Sequence, residues 1–123
     1  MNRQMSTREI PIVRSDILQN QANRCAICQQ LIQTDAVLDH NHATGEIRGV
    51  LHRGCNSMEG VVANRAAMYG ITDMSQYLRG LADYLDIHRT SQHNLIHPTF
   101  KTPEQKKATA KRKAKLRRDK QRK

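Results

Sequence analysis

The sequence predicts an α+β fold: a small ββα core pinned by a metal ion, flanked by helices and followed by a basic C-terminal tail. Three observations carry that expectation. All three cysteines fall into two short groups, Cys25-Ala26-Ile27-Cys28 and His52-Arg53-Gly54-Cys55. Two strand-like runs, Ala36-Val37-Leu38 and Ile47-Arg48-Gly49-Val50-Leu51, lie between Cys28 and His52. Apolar residues at helical spacing follow the second group. With one Phe, three Tyr and no Trp in 123 residues, the core must be built from Ile, Leu, Val and Met. Such a core is thin, and small domains with thin cores need a staple.

Taken in order, residues 1–14 read as a loose N-terminal arm in which Pro11 interrupts any helix. Ser15-Asp16 reads as a helix start, with Ile17, Leu18 and Ala22 as a short apolar face ending before Arg24. The turn-rich stretch Asn41-His42-Ala43-Thr44-Gly45 separates the two strands. A helix then starts near Cys55 or Asn56 and runs to Gly70, which suits a left-handed C-terminal cap; Gly60 weakens that helix a little.

Asp73 and Gln76 resemble a capping box, and Met74, Tyr77, Leu78, Leu81, Tyr84, Leu85 and His88 recur at helical spacing. This stripe suits two roles equally: core against the preceding helix, or the face of a homodimer formed through the helices at 56–69 and 74–88. Thr102-Pro103-Glu104-Gln105 combines an N-cap, a proline at the first helical position and a capping-box glutamine, so the tail can be helical to about Asp119. Ala108, Ala110, Ala114 and Leu116 make no continuous stripe there, so that helix is expected to be exposed and to form best against phosphates. The expected organisation is an arm at 1–14, a metal-stapled domain at 15–100 and a basic tail at 101–123, with no internal repeat.

The formal charge of +10 sits entirely in that tail. Residues 1–100 carry nine Arg, no Lys and nine acidic groups; residues 101–123 carry eight Lys and four Arg against Glu104 and Asp119. A neutral body with a cationic arm is the layout of a nucleic-acid binder, because phosphate contacts release counterions. The alternatives are a solubilising tail or a membrane-surface patch. Lys106, Lys107, Lys111, Arg112, Lys113, Lys115, Arg117 and Arg118 are the candidate phosphate contacts. No apolar run approaches a membrane span and no signal-peptide core is seen, so a cytoplasmic protein is expected.

In a reducing compartment, closely spaced cysteines hold a metal more often than a disulfide. Cys25, Cys28, His52 and Cys55 have two residues inside each pair and 23 between Cys28 and His52, the spacing of a tetrahedral structural zinc site. Thiolate and imidazole suit Zn²⁺ over Mg²⁺ or Ca²⁺. Four protein ligands leave no open position, so this ion would hold the fold and take no part in chemistry. The competing readings are buried cysteines beside an exposed His52, or a redox Cys-x-x-Cys, which lacks the βαβ pattern it needs here.

Leu38-Asp39-His40-Asn41-His42 ends the first strand, where side chains alternate in direction. Asp39 and His40 should face opposite ways unless the strand is already turning, and His40 and His42 should share a face. Asn56 directly follows the last zinc ligand, so zinc would fix its position. Hydrolysis of a phosphodiester needs an activated water, a shielded phosphate and a stabilised leaving oxygen. An imidazole can take the water's proton, and a hard divalent ion on a carboxylate and an amide oxygen can meet the other needs. The plain alternative has Asp39 and the histidines as polar turn residues.

Cys-x-x-Cys, Leu-Asp-His-x-His, a Gly-x-Ile/Val-Arg-Gly strand and Cys-Asn together resemble the ββα-metal (HNH, or His-Me finger) nucleases, most closely the recombination endonuclease VII family of phages. Ile96-His97-Pro98-x-Phe100 is also similar, so the resemblance covers about residues 15–100. It implies zinc at Cys25, Cys28, His52 and Cys55, and Mg²⁺ or Mn²⁺ at Asp39 and Asn56. His40 becomes the general base, and His42 contacts the scissile phosphate or helps hold the metal. The family's zinc site is usually four cysteines; here His52 replaces one, a change zinc tolerates.

The family's larger members dimerise through intertwined helices and carry a folded C-terminal domain, with branched DNA as substrate; here a short basic segment follows residue 100. Nicking or double-strand cleavage of less specialised DNA is at least as well supported as junction resolution. The alternative function is a non-catalytic, zinc-stapled DNA-binding or architectural module, which has no need of Asp39, His40 and Asn56. No residue reads a 2′-hydroxyl recognisably, so RNA is a further substrate for testing.

Overall fold

The computed structural model describes residues 2–123. Among them are helices α1 (Ile10–Asn20), α2 (Arg53–Met68), α3 (Met74–Ile87) and α4 (Pro103–Gln121), and strands β1 (Ala36–His40) and β2 (Ile47–His52). The chain divides into two compact units, Met1–Arg79 and Gly80–Lys123, and the division falls within α3.

The N-terminal region is more ordered than its composition implies. A 3-10 turn at Thr7–Glu9 leads into α1, which starts at Ile10 instead of Ser15. Pro11 does not interrupt this helix because it sits in the first turn, where its missing N–H has no intrahelical partner. The Ser6 N–H donates to Glu9 Oε2 at 2.7 Å, and Arg3 forks onto the same carboxylate at 2.6 and 3.3 Å. Arg3 and the Ser6 N–H hold the Glu9 carboxyl down at about 2. At its other end α1 stops at Asn20, and Ala22 and Asn23 take left-handed φ values of 54° and 58°. Ala22 therefore belongs to the turn and not to the helix's apolar face. Ile17 and Leu18 do pack on the core.

β1 and β2 form an antiparallel hairpin with Ala36 opposite His52, Val37 opposite Leu51 and Leu38 opposite Val50. Both strands extend beyond the apolar runs, to His40 and His52. The register shifts between Leu38 and His40, which faces Ile47, so β2 carries one extra residue opposite Asp39. The connecting turn is closed by Gly45 N–H to Asn41 O at 2.7 Å and by the Asn41 side chain, whose Oδ1 accepts from Ala43 N–H at 2.8 Å. Gly45, at φ 78°, supplies the left-handed residue.

The core is small, as a chain poor in aromatic residues requires: Cys25, Ile32, Val50 and Leu51, with Ile17, Leu18, Ala36, Leu38 and Cys55 against it. Two of these residues are expected zinc ligands. Gln21 ties α1 to the hairpin: its Oε1 accepts from Val50 N–H at 2.9 Å, while its Nε2 donates to Val50 O at 2.9 Å and Arg24 O at 2.8 Å.

β2 runs directly into α2, which begins at Arg53, two residues before Cys55. Asp35 covers this helix start: Arg53 N–H donates to Asp35 O and Oδ2, both at 3.2 Å. The helix ends as the sequence predicts, with Gly70 at φ 71°. Ile71 N–H donates to Ala66 O at 2.8 Å and Gly70 N–H to Ala67 O at 3.2 Å, the paired bonds of a Schellman cap.

Asp73 Oδ1 accepts from Gln76 N–H at 3.0 Å at the start of α3. No residue of α3 is buried, so its apolar stripe is not core: Tyr84 and Leu85 are 59% and 58% exposed. α4 carries the full capping box, Gln105 N–H to Thr102 Oγ1 at 3.2 Å and Thr102 N–H to Gln105 Oε1 at 2.8 Å, and runs to Gln121. Among the described residues, no helix is long and apolar enough to cross a membrane.

Candidate metal centre and active site

The first cysteine pair sits on a tight knuckle. Arg24 bridges Leu31 in antiparallel fashion, Cys25 N–H donates to Gln30 O at 2.9 Å, and Gln29 turns the chain at φ 65°. The second pair straddles the junction of β2 and α2, with His52 ending the strand and Cys55 in the first turn of the helix. The ligand atoms of Cys25, Cys28, His52 and Cys55 all lie within 4.8 Å of one another. The site can therefore hold zinc, tying together the knuckle, β2 and α2.

Two features prepare it for an ion. His52 Nε2–H donates to Leu31 O at 3.0 Å, which leaves Nδ1, 3.3 Å from Cys28 Sγ, free to face the centre. The protons are also unevenly shared. Burial pushes the Cys25 thiol up, but the N–H groups of Cys28, His52 and Ile27, with the His52 ring, more than offset this and bring it to about 6. Bonding to Cys25, then to Leu31 O and Cys28, raises His52 to about 9. Burial, then the neighbouring Cys25 and Cys28, push Cys55 up to about 11.

The second constellation lies at the end of the hairpin. Asp39 is buried, 6% exposed, whereas His40 is exposed, as strand alternation requires. The rings of His40 and His42 meet with centroids 4.7 Å apart, so the two histidines do share a face. A cleft of about 890 Å³ opens beside His40, walled by the N-terminal segment at Arg3, Met5 and Ile10 and by Leu38 and Thr44.

Asp39 is not free. Arg48 Nε donates to its Oδ2 at 2.7 Å and Arg48 Nη2 to its Oδ1 at 3.1 Å. The same Nη2 lies 3.2 Å from Glu59 Oε2 on α2. These contacts, Asp39 first, raise the Arg48 pKa. Arg48 and Glu59 are the residues the sequence reading passes over, although signals exist. Arg48 is the one charged side chain in the β2 run, and Glu59 lies three positions after Asn56, on the same helical face.

Asn56 is half-buried in the first turns of α2, where the zinc cluster would hold it. Among the described residues no hydrogen bond joins Asp39 to His40 or to Asn56; Arg48 and Glu59 make the link from β1 to α2. The donor chemistry of Asp39 and Asn56, a carboxylate and an amide oxygen, still suits a hard divalent ion, since a carboxylate has lone pairs beyond the two that a guanidinium occupies. The eight basic candidates of the tail all lie on α4 and are exposed.

A two-stranded hairpin feeding a helix across a closed Cys₃His cluster defines a small, metal-stapled ββα protein with a second polar site at the hairpin's end. The chain belongs to the recombination endonuclease VII family, whose model matches residues 2–87. It is therefore an endonuclease acting on DNA. The match takes in both constellations and all of α3, and it begins well before residue 15, in keeping with the ordered N-terminal helix.

Proposed function

We propose that this chain is an HNH-type, metal-dependent endonuclease that hydrolyses phosphodiester bonds of DNA at the end of its β-hairpin. The observation that carries the reading is that β1 ends in Asp39 and His40, with His42 against the His40 ring, and that Asp39 is tied through Arg48 to Glu59 on α2, the helix that bears Asn56. In this reading Asp39 and Asn56 hold Mg²⁺ or Mn²⁺, which supplies positive charge for the phosphate and the leaving 3′ oxygen. His40 accepts the proton of the attacking water. His42, against the His40 ring, contacts the scissile phosphate or adds a donor to the ion. Zinc on Cys25, Cys28, His52 and Cys55 holds the start of α2 and so the position of Asn56.

The α4 basic residues, Lys106, Lys107, Lys111, Arg112, Lys113, Lys115, Arg117 and Arg118, attract the phosphate backbone without choosing a sequence. Two copies of the chain pair through α2 and α3, whose apolar side chains Met58, Val61, Tyr84 and Leu85 are exposed.

The test is cleavage of matched linear, nicked, mismatched and four-way-junction DNA with Mg²⁺ and with Mn²⁺. Wild-type protein should cut, and His40→Ala should lose at least about a hundredfold in rate while keeping its zinc and its circular dichroism spectrum. Undiminished cutting by His40→Ala removes His40 as the base. Binding without cutting in every ion favours the architectural alternative.

A further inference from the structure

The acidic pair of the site is neutralised from within. Both oxygens of Asp39 are engaged by Arg48, at 2.7 and 3.1 Å, and the same guanidinium reaches Glu59 at 3.2 Å. The Arg48 side chain is 39% exposed against 7% for Asp39, so the guanidinium lies between a buried carboxylate and solvent. Two properties of this arrangement bear on the reaction. A divalent ion on Asp39 would sit within a few ångströms of a fixed positive charge, and like charges so close disfavour one another strongly away from bulk water. An Arg fork that matches a carboxylate also matches a phosphodiester, with little reorganisation of the guanidinium itself.

We propose that Arg48 is a built-in counter-cation, holding Asp39 until a DNA phosphate draws it away and opens the carboxylate to the divalent ion. This rests on the reading of Asp39 as an ion ligand. Arg48 then couples the two binding events: the metal-free protein keeps its buried carboxylate paired, and DNA and the ion each strengthen the binding of the other, as linkage requires. Glu59 keeps hold of the guanidinium during the exchange and stops it from drifting into solvent. The bulge in β2 lies at this point: Arg48 and Gly49 together oppose Asp39.

The experiment is an Mn²⁺ titration followed by electron paramagnetic resonance, on zinc-loaded full-length protein, with and without a short DNA duplex. A His40→Ala background prevents cutting. Without DNA, Arg48→Gln should bind Mn²⁺ at least about tenfold more tightly than the protein with Arg48. Arg48→Lys, which keeps the charge but not the fork, should fall between them and provides the readout if Arg48→Gln fails to fold. Adding the duplex should tighten Mn²⁺ binding in the Arg48 protein and much less in Arg48→Gln. Equal or weaker Mn²⁺ binding by both Arg48 variants, or the same DNA-induced tightening in all three, overturns the proposal. Asp39→Asn separates the two readings: if it leaves the titration unchanged, Asp39 is no ligand and both fall, whereas if it removes the site, failure of the Arg48 variants counts against the exchange alone.

Discussion

The Gln21 side chain bonds both backbone polar groups of Val50, a fully buried residue, and so continues the sheet's hydrogen bonding from a helix end. Gln21→Ala leaves the Val50 N–H without that acceptor, and a buried orphan donor costs about 2 kcal/mol. Urea unfolding should show that loss with zinc content unchanged. At the zinc cluster the direction of a pH effect follows from the ligands. With His52 raised to about 9 and Cys55 to about 11, both carry protons in the metal-free cluster near neutrality, and zinc needs both gone. Apparent zinc affinity should fall by at least about a hundredfold for each pH unit lowered between roughly pH 8 and pH 7, since at least these two protons must leave. Competition with a chelator across that range checks it, and a flat profile would contradict the assigned proton positions. The four members of the Cys₃His cluster are legible because their identity and spacing are local facts. The role of Arg48 is not, because its partners Asp39 and Glu59 lie on other elements and meet it only in the folded chain.

Among the elements, helix ends marked by a capping residue are legible in the sequence, whereas the start of α1 is not. Gly70, Asp73 and Thr102 all do what their residue types prescribe, since each acts on backbone groups within a few residues. Pro11 misled because the same residue breaks a helix interior and suits a first turn; only the Ser6–Glu9 cap ahead of it decides between them. The basic helix α4 makes its prediction at this scale. Deleting residues 101–123 should lower the log–log salt slope of DNA binding by several units while His40-dependent cutting persists at low salt. An unchanged slope would mean that the remaining body supplies the phosphate contacts. For α3, whose stripe is exposed, pairing of two copies predicts that Leu85→Glu converts a dimer to a monomer in sedimentation equilibrium. A wild-type chain already monomeric removes that reading.

Over the whole molecule, the core is small and shares residues with the cluster that could hold zinc. Two of its members, Cys25 and Cys55, also belong to the Cys₃His cluster, where the knuckle, β2 and α2 meet. Stripping zinc with a strong chelator should therefore unfold the hairpin and knuckle cooperatively. Circular dichroism and fluorescence of an added apolar dye follow this, and re-addition of Zn²⁺ should restore the signal. Retention of the native spectrum in zinc-free protein would show that the apolar contacts suffice. By itself the sequence determined the α+β class, the Cys₃His cluster, both strands, the three helices after them and the concentration of charge in the tail, because each rests on local spacing, capping or composition. Only the tertiary structure decided that helix begins before Ser15, that the α3 side chains are exposed among the described residues, and that Asp39 is held by Arg48, which also reaches Glu59. Those outcomes depend on which distant groups meet, and a one-residue bulge between two strands is enough to change that.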